Sequence, residues 1–291
     1  MTAAVAPAPF TVFGTTFSNP ILLAAGTAGF GRELAGIVDL EALGGLVTKA
    51  VSLEPRHGNK APRVAEFDGG MLNSIGLANP GLAEVASTDL PWLRTNLTRA
   101  KILVNVVGFA EDEYARVIEG LDSVGGMVGY ELNLSCPNTS AGGIEFGADA
   151  GAVRRIVAGC RAVTRRALVA KLSPALPDIP ALAEAAVEAG ADGISVVNTM
   201  PGLVYEGVAP RLGNGNGGVS GPALLPVGLL ATARVRRRLP EVPIIGVGGI
   251  RTLEHVRQYV AAGATLVAIG TAGLADPRLP ERLARQWVAG G

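Results

Sequence analysis

Residues 243–248 read Pro-Ile-Ile-Gly-Val-Gly, and residues 265–271 read Thr-Leu-Val-Ala-Ile-Gly-Thr. Each is a short apolar run that closes at glycine, a pattern typical of a strand buried on both faces. Between them, residues 253–262 carry apolar side chains at helical spacing, and Gly263 follows as a common helix stop. A strand, a helix and a second strand in this order predict one parallel βαβ unit.

The same unit recurs along the chain. Apolar runs of this kind occur six more times, at residues 19–26, 45–50, 101–108, 129–136, 168–174 and 193–199. Helical patterns lie between them, at residues 32–43, 112–121, 149–164, 179–189 and 222–239. This alternation predicts an α/β fold of the (β/α)8 TIM barrel type, with residues 1–291 as a single domain. A doubly wound open sheet is the alternative, and the strand count favours the barrel.

Two segments interrupt the alternation. Residues 51–91 are rich in turn-forming residues, and residues 201–221 are rich in Gly and Asn. Both follow predicted strands, so we expect them as loop or strand insertions at the carboxyl end of the barrel, which we call the mouth. Long insertions in this place often act as lids.

Polar side chains cluster at the ends of the predicted strands. They are Lys49, Asn105, Asn133, Ser135, Cys136, Lys171, Ser173, Asn198 and Thr199. A polar group near a barrel core costs stability unless it is hydrogen-bonded. One such residue can be structural, but a set at one end of a barrel predicts a shared ligand.

The ends of the last two strands predict a phosphate site. Gly248 and Gly249 follow the seventh strand, and Gly270 and Thr271 follow the eighth. Barrel enzymes often bind phosphate between these two loops, where glycine lets the backbone approach the anion. Two ordinary tight turns are the simpler alternative.

Two lysines and one cysteine are the candidates for chemistry. Lys49 and Lys171 end apolar runs, and a buried ammonium needs an anion or another acceptor nearby. A flavin, a carboxylate substrate or a Schiff base on lysine would each account for them. Cys136 precedes Pro137 at a strand end and can act as a base or a nucleophile, whereas Cys160 lies within a helix and is expected in the core.

Composition narrows the function further. Lys plus Arg number 25 and Asp plus Glu number 25, so no nucleic-acid partner is indicated. The 2 cysteines exclude a disulfide scaffold, fit a cytoplasmic protein, and are too few for a four-cysteine iron–sulfur cluster. Gly, Pro or charged residues interrupt every apolar stretch before it could span a membrane, and neither histidine has partners at metal-ligand spacing, so no metal is expected.

Taken with these residues, the chain resembles the class 1 dihydroorotate dehydrogenases from about residue 19 to residue 277. It is most similar to the branch that works with an iron–sulfur flavoprotein and NAD. The resemblance rests on the ordered stretches 46–50 (LVTKA), 71–81 (MLNSIGLANPG), 131–138 (ELNLSCPN), 170–174 (AKLSP), 197–199 (VNT) and 217–222 (GGVSGP).

The resemblance implies a role for each candidate residue. Cys136 would be the catalytic base for oxidation of dihydroorotate to orotate with FMN. The substrate would contact Lys49, Asn73, Ser74, Ile75, Gly76, Leu77, Asn133, Asn198 and Thr199. FMN would contact Ala25, Lys49, Ala50, Asn105, Asn133, Lys171, Val197, Gly221, Gly248, Gly249, Gly270 and Thr271.

The resemblance also implies partners. A homodimer is expected, joined to an electron-transfer subunit that carries FAD and a [2Fe–2S] cluster and passes electrons to NAD, as a heterotetramer. Direct reoxidation by fumarate, as in the other class 1 branch, stays open.

Overall fold

The structure is a computed structural model that describes residues 9–134 and 146–290. It begins with a hairpin of β1 (Phe10–Val12) and β2 (Thr15–Phe17). A closed barrel of parallel strands follows, in which spatial order matches chain order. Its strands are β3 (Ile21–Leu23), β4 (Gly45–Val47), β7 (Lys101–Val106), β8 (Gly129–Asn133), β9 (Ala167–Leu172), β10 (Gly193–Val196), β15 (Ile244–Val247) and β16 (Leu266–Ile269).

Closure of the sheet confirms the barrel and excludes the open doubly wound alternative. The last barrel strand, β16, pairs with the first, β3, with Val267 opposite Ile21. All eight predicted strands are present, each shorter than the apolar run that predicted it. The runs are longer because they continue into the residues at the mouth, several of which are buried or half-buried.

Helices surround the barrel. They are α1 (Leu82–Glu84), a π-helical turn (Val85–Asp89), α2 (Leu90–Asn96), α3 (Glu111–Asp122), α4 (Ala150–Val163), α5 (Ile179–Glu188), α6 (Leu225–Arg238), α7 (Leu253–Ala261), α8 (Thr271–Ala275) and α9 (Leu279–Gly290). The five helices predicted from residue 112 onward are confirmed, each over most of its predicted range. No described helix has both the length and the apolar character needed to cross a bilayer.

The helix predicted at residues 32–43 is wrong. The chain forms two short 3-10 turns there, Arg32–Leu34 and Leu40–Ala42. Gly36 has a φ of 79°, a left-handed conformation that ends a right-handed helix. Asp39 then accepts a hydrogen bond from the Glu41 amide and starts the second turn. The apolar residues do have helical spacing, but the left-handed residue between the two turns prevents one continuous helix.

The two insertions are more regular than the sequence indicated. They combine into one antiparallel sheet in the order β11 (Met200–Gly202), β14 (Gly217–Ser220), β6 (Gly70–Asn73) and β5 (Val64–Phe67). A small hairpin of β12 (Tyr205–Glu206) and β13 (Ala209–Pro210) extends from it. The helical segment that starts at α1 also begins in the first insertion and continues beyond it to Asn96. Because β6 and β14 pair directly, two segments far apart in sequence share one position at the mouth.

The opposite, amino-terminal end of the barrel is apolar. Val12 and Phe17 of the β1–β2 hairpin pack with Leu22, Val47 and Leu103 from inside the barrel. Phe17, Val47 and Leu103 are each at most 1% exposed. Burial of this apolar surface stabilises the fold and closes the barrel interior at this end, so the interior opens at the mouth.

Candidate active site

Two adjoining cavities occupy the mouth. The first, the barrel cavity, has a volume of about 440 Å³. It is lined by residues at the carboxyl ends of the barrel strands, including Ala24 after β3 and Gly270 after β16. The second, the rim cavity, has a volume of about 460 Å³ and lies against the mouth sheet, between Ser74 and Gly218. Their common wall is formed by Asn73, Ile75, Leu77, Asn133, Asn198 and Thr199.

The structure brings all of the predicted cofactor residues together. The barrel cavity is lined by Ala25, Lys49, Ala50, Asn105, Asn133, Lys171, Val197, Gly221, Gly248, Gly249, Gly270 and Thr271. These residues come from nine different segments of the chain. Their convergence follows from the closure of the barrel, which brings the carboxyl ends of parallel strands to one side.

The predicted substrate residues divide between the two cavities. Lys49 lines the barrel cavity, Ser74 and Gly76 line the rim cavity, and the remaining ones form the common wall. Cys136 lies outside the described residues, so its role stays a prediction. Asn133, at the end of β8, lines both cavities.

A buried carboxylate organises the polar side chains below the barrel cavity. Glu131 Oε1 accepts a hydrogen bond from Asn105 Nδ2 at 2.7 Å and one from Lys171 Nζ at 3.2 Å. Glu131 is 1% exposed and Lys171 is 6% exposed. The pair therefore gives a lysine beside the cavity a carboxylate partner, where an unpaired charge would be costly.

Lys49 has a different environment. Its side chain is half-buried and lines the barrel cavity. Within residues 9–134 and 146–290, no group pairs with its ammonium, whereas its backbone amide donates to the Gly29 carbonyl. A half-buried cation that pairs with none of the described residues suits a carboxylate ligand.

Hydrogen bonds hold the segment that contains residues 73–79. Asn73 Nδ2 donates to the Gly218 carbonyl at 3.2 Å, and Asn59 Nδ2 donates to Ser74 Oγ at 2.8 Å. Asn79 is buried and its Oδ1 accepts from the Gly81 amide. Leu77 has a φ of 59°, which is strained for a residue with a side chain. The segment is held in one shape at the wall shared by both cavities.

Glycines line one side of the barrel cavity. Gly248 and Gly249 have φ values of 126° and 72°, which other residues rarely adopt. Tyr259 donates a hydrogen bond to the Gly248 carbonyl at 2.8 Å, and burial raises the pKa of this tyrosine, so it stays a donor. A Cβ at Gly270 would meet no atom closer than 3.7 Å. The side chain would therefore extend into the cavity, which only glycine leaves open.

Some lining residues had no signal that singled them out. Met71 and Ser220 reach the barrel cavity because β6 and β14 pair, and Leu274 reaches it from α8. Glu131 had a signal, since it is a charged residue within an otherwise apolar strand. The sequence did not indicate its partners, which lie on the two neighbouring strands.

Fold and site together define a (β/α)8 barrel protein whose ligand site, at the mouth, is polar on one side and glycine-rich on the other. Comparison with known proteins identifies the family within this class. The family model for dihydroorotate dehydrogenase matches residues 8–288. The chain belongs to the dihydroorotate dehydrogenase family.

Curated relatives match over most of their length. A protein of Trichlorobacter lovleyi is 44% identical, covering 93% of this chain and 90% of the relative, and is named dihydroorotate dehydrogenase B (NAD(+)), catalytic subunit. A protein of Desulforudis audaxviator with the same name is 44% identical, over 91% of this chain and 86% of its own. A protein of Solibacter usitatus is 42% identical, over 95% and 90%, and is named putative dihydroorotate dehydrogenase A (fumarate).

These findings decide against the Schiff-base lyase. The family is one of dehydrogenases. Lys171 is also poorly placed for that chemistry, because its nitrogen is engaged by the Glu131 carboxylate at 3.2 Å.

Proposed function

We propose that this chain binds FMN in the barrel cavity and oxidises dihydroorotate to orotate, a step in the synthesis of the pyrimidine nucleotide UMP. One observation supports this above all others. Every described residue for which the family resemblance implies a cofactor or substrate contact lines the barrel cavity or the adjoining rim cavity. Family membership and a site of matching composition agree on the same chemistry.

The cavity fits a flavin at two points. Asn105 Oδ1 is buried and has no hydrogen-bond partner in the described part of the chain, so a ligand with an N–H group would satisfy it. The pyrimidine ring of a flavin has such a group. On the other side, Gly270 leaves open the space that a Cβ would fill, as a bound phosphate requires.

The residues of the barrel cavity would then divide by chemistry. Asn105, Asn133 and Lys171 would bind the polar edge of the isoalloxazine ring through amide and ammonium groups. Ala25, Ala50 and Val197 would contact the ring system, with Lys49 at its border with the substrate. Backbone groups would surround the ribityl phosphate at Gly221, Gly248, Gly249, Gly270 and Thr271.

The substrate would lie at the common wall of the two cavities. Lys49 is the half-buried cation that would bind the carboxylate of dihydroorotate. The amides and hydroxyls of Asn73, Asn133, Asn198 and Thr199 can both donate and accept, as a cyclic urea requires. The segment from Ser74 to Leu77, including Ile75 and Gly76, would close over the ring in the shape that its hydrogen bonds impose.

Cys136 would remove the proton from C5 of dihydroorotate. In the sequence it comes three residues after Asn133, which lines both cavities. A cysteine thiol loses its proton at a much lower pH than a serine hydroxyl does, so a thiolate is the base that can form near neutral pH. When bound, FMN would supply at N5 the acceptor for the hydride that leaves C6 of the substrate.

Electrons would leave through a second protein. The chain has 2 cysteines, too few for its own four-cysteine cluster, and two of the relatives above are named as catalytic subunits of NAD(+) enzymes. We therefore infer a partner subunit with FAD and [2Fe–2S], bound to a homodimer of this chain. Reoxidation by fumarate is the alternative, since a relative named for fumarate is 42% identical.

The test is spectroscopic. Purified protein, loaded with FMN, should show flavin absorbance that is lost when dihydroorotate is added without oxygen. Protein that shows no flavin absorbance after incubation with FMN, or a bound flavin that dihydroorotate leaves oxidised, would refute the proposal. Purification from a native extract, followed by assay with NAD or fumarate, then identifies the acceptor.

A further inference from the structure

Glu131 lies deeper in the barrel than the predicted ligand contacts. It is on β8 opposite Asn105 of β7, while Asn133, two residues further on, is opposite Lys171 of β9. Residues two apart on a strand face the same side, so Glu131 and Asn133 both face the interior. Asn133 lines the barrel cavity and Glu131 does not. Glu131 would therefore act on a ligand without touching it, through the side chains that it binds and through its charge.

The first neighbour is the Asn105 side chain. A carboxylate only accepts hydrogen bonds, so Glu131 Oε1 selects the Nδ2 end of the Asn105 amide, at 2.7 Å. The opposite end, Oδ1, is then left as a buried acceptor without a partner among the described residues. Because a flipped amide would put oxygen against oxygen, Glu131 determines that Asn105 offers an acceptor to the barrel cavity.

The second neighbour is Lys171. Its ammonium donates to the same carboxylate oxygen at 3.2 Å, and the two side chains are 8% and 1% exposed. One carboxylate therefore fixes both an amide and a cation that line the cavity. At this depth little solvent screens either charge, so the negative charge of Glu131 offsets part of the positive charge that Lys171 brings to a ligand.

We propose that Glu131 is a positioning residue for the flavin. It holds Asn105 as a hydrogen-bond acceptor and Lys171 as a fixed cation, and its charge keeps the midpoint potential of bound FMN lower than Lys171 alone would set it. The proposal rests on the FMN site proposed above.

The test compares Glu131→Gln and Glu131→Asp with Glu119→Gln, a matched change on the exposed face of α3. Two quantities are measured: the Kd of FMN, from quenching of its fluorescence, and the midpoint potential of the bound flavin. Circular dichroism of the apoprotein checks folding.

Glu131→Gln should weaken FMN binding by at least about 10-fold, because a Gln amide can present either its oxygen or its NH2 group to Asn105, so the orientation of Asn105 becomes free, and because a neutral group holds the Lys171 ammonium less strongly. The midpoint potential should become more positive, because reduced flavin is negatively charged and Lys171 is no longer offset. Glu131→Asp keeps the charge but is too short to reach both neighbours. It should weaken FMN binding while leaving the potential near that of the wild type.

Several results would overturn the inference. A folded Glu131→Gln protein with wild-type Kd and potential would do so, and so would variants that lose only stability. If Glu131→Gln does not fold, a Glu131→Asp protein with wild-type FMN affinity is equally decisive. Failure of the proposed function is distinct, because the wild type and Glu119→Gln would then also fail to bind FMN.

Discussion

The two ends of the barrel are built from the same strands but differ in chemistry. At the amino-terminal end, Leu103 on β7 and Val169 on β9 pack with Val12 and Phe17 of the hairpin. Two residues further along each strand, the interior positions hold Asn105 and Lys171, which line the barrel cavity. Residues two apart on a strand face the same side, so both pairs face the barrel interior and differ in side-chain polarity rather than in direction.

The difference shows how stability and ligand binding are separated in one barrel. Apolar side chains at the closed end contribute burial, whereas polar ones at the mouth would lower stability unless another group satisfied them. Glu131 satisfies part of this need, and Asn105 Oδ1 is left without a partner among the described residues. We therefore expect changes at the mouth to affect ligands and changes at the closed end to affect folding.

The largest difference is expected between substitutions of the two cysteines. Cys136→Ser should keep FMN but lower kcat at neutral pH by about 100-fold or more, because a hydroxyl is a much weaker base. Cys160 lies buried in α4, and burial raises the pKa of its thiol to about 12, so it stays protonated and unreactive. Cys160→Ala should therefore leave kcat unchanged. Steady-state assays with dihydroorotate measure both, and wild-type turnover in Cys136→Ser would remove this residue from the base role.

Next in size is a pair of changes on β7. Leu103→Ala should lower the free energy of unfolding by about 2–5 kcal/mol, because it leaves a cavity in the closed end, and FMN affinity should stay the same. Asn105→Ala should act mainly on the ligand: it should weaken FMN binding by about 10-fold and lower the free energy of unfolding by less than Leu103→Ala does. Denaturant titration and fluorescence titration with FMN measure the two quantities. Equal effects of both variants on FMN would contradict the separation of the two ends.

The smallest effects are expected for two glycines. Gly270→Ala should weaken FMN binding by about 5-fold, because the methyl group enters the space available to the phosphate. Gly159 lies within α4, and a Cβ there would meet no atom within 4 Å. Gly159→Ala should raise the free energy of unfolding by about 0.5–1 kcal/mol and leave FMN binding unchanged. If Gly270→Ala binds FMN as the wild type does, the phosphate does not lie against this residue.

The sequence was most informative where the pattern is local. Eight apolar runs predicted eight barrel strands, and polar residues at their ends predicted the cavity. The helix at residues 32–43 failed because one residue, Gly36, takes a left-handed conformation that apolar spacing does not reveal. The mouth sheet was expected only as loop or strand insertions, since its strands are short and rich in Gly and Asn, residues that usually indicate turns.

By itself, the sequence determined the family, the barrel and most of the side chains at the mouth, because each depends on a short stretch whose chemistry is visible in order. Only the tertiary structure decided which groups meet. Asn73 bonds to the carbonyl of Gly218, 145 residues away, and Glu131 holds side chains from both neighbouring strands. The physical reason is that hydrogen bonds between distant segments form only after the barrel has closed and set the register of its strands.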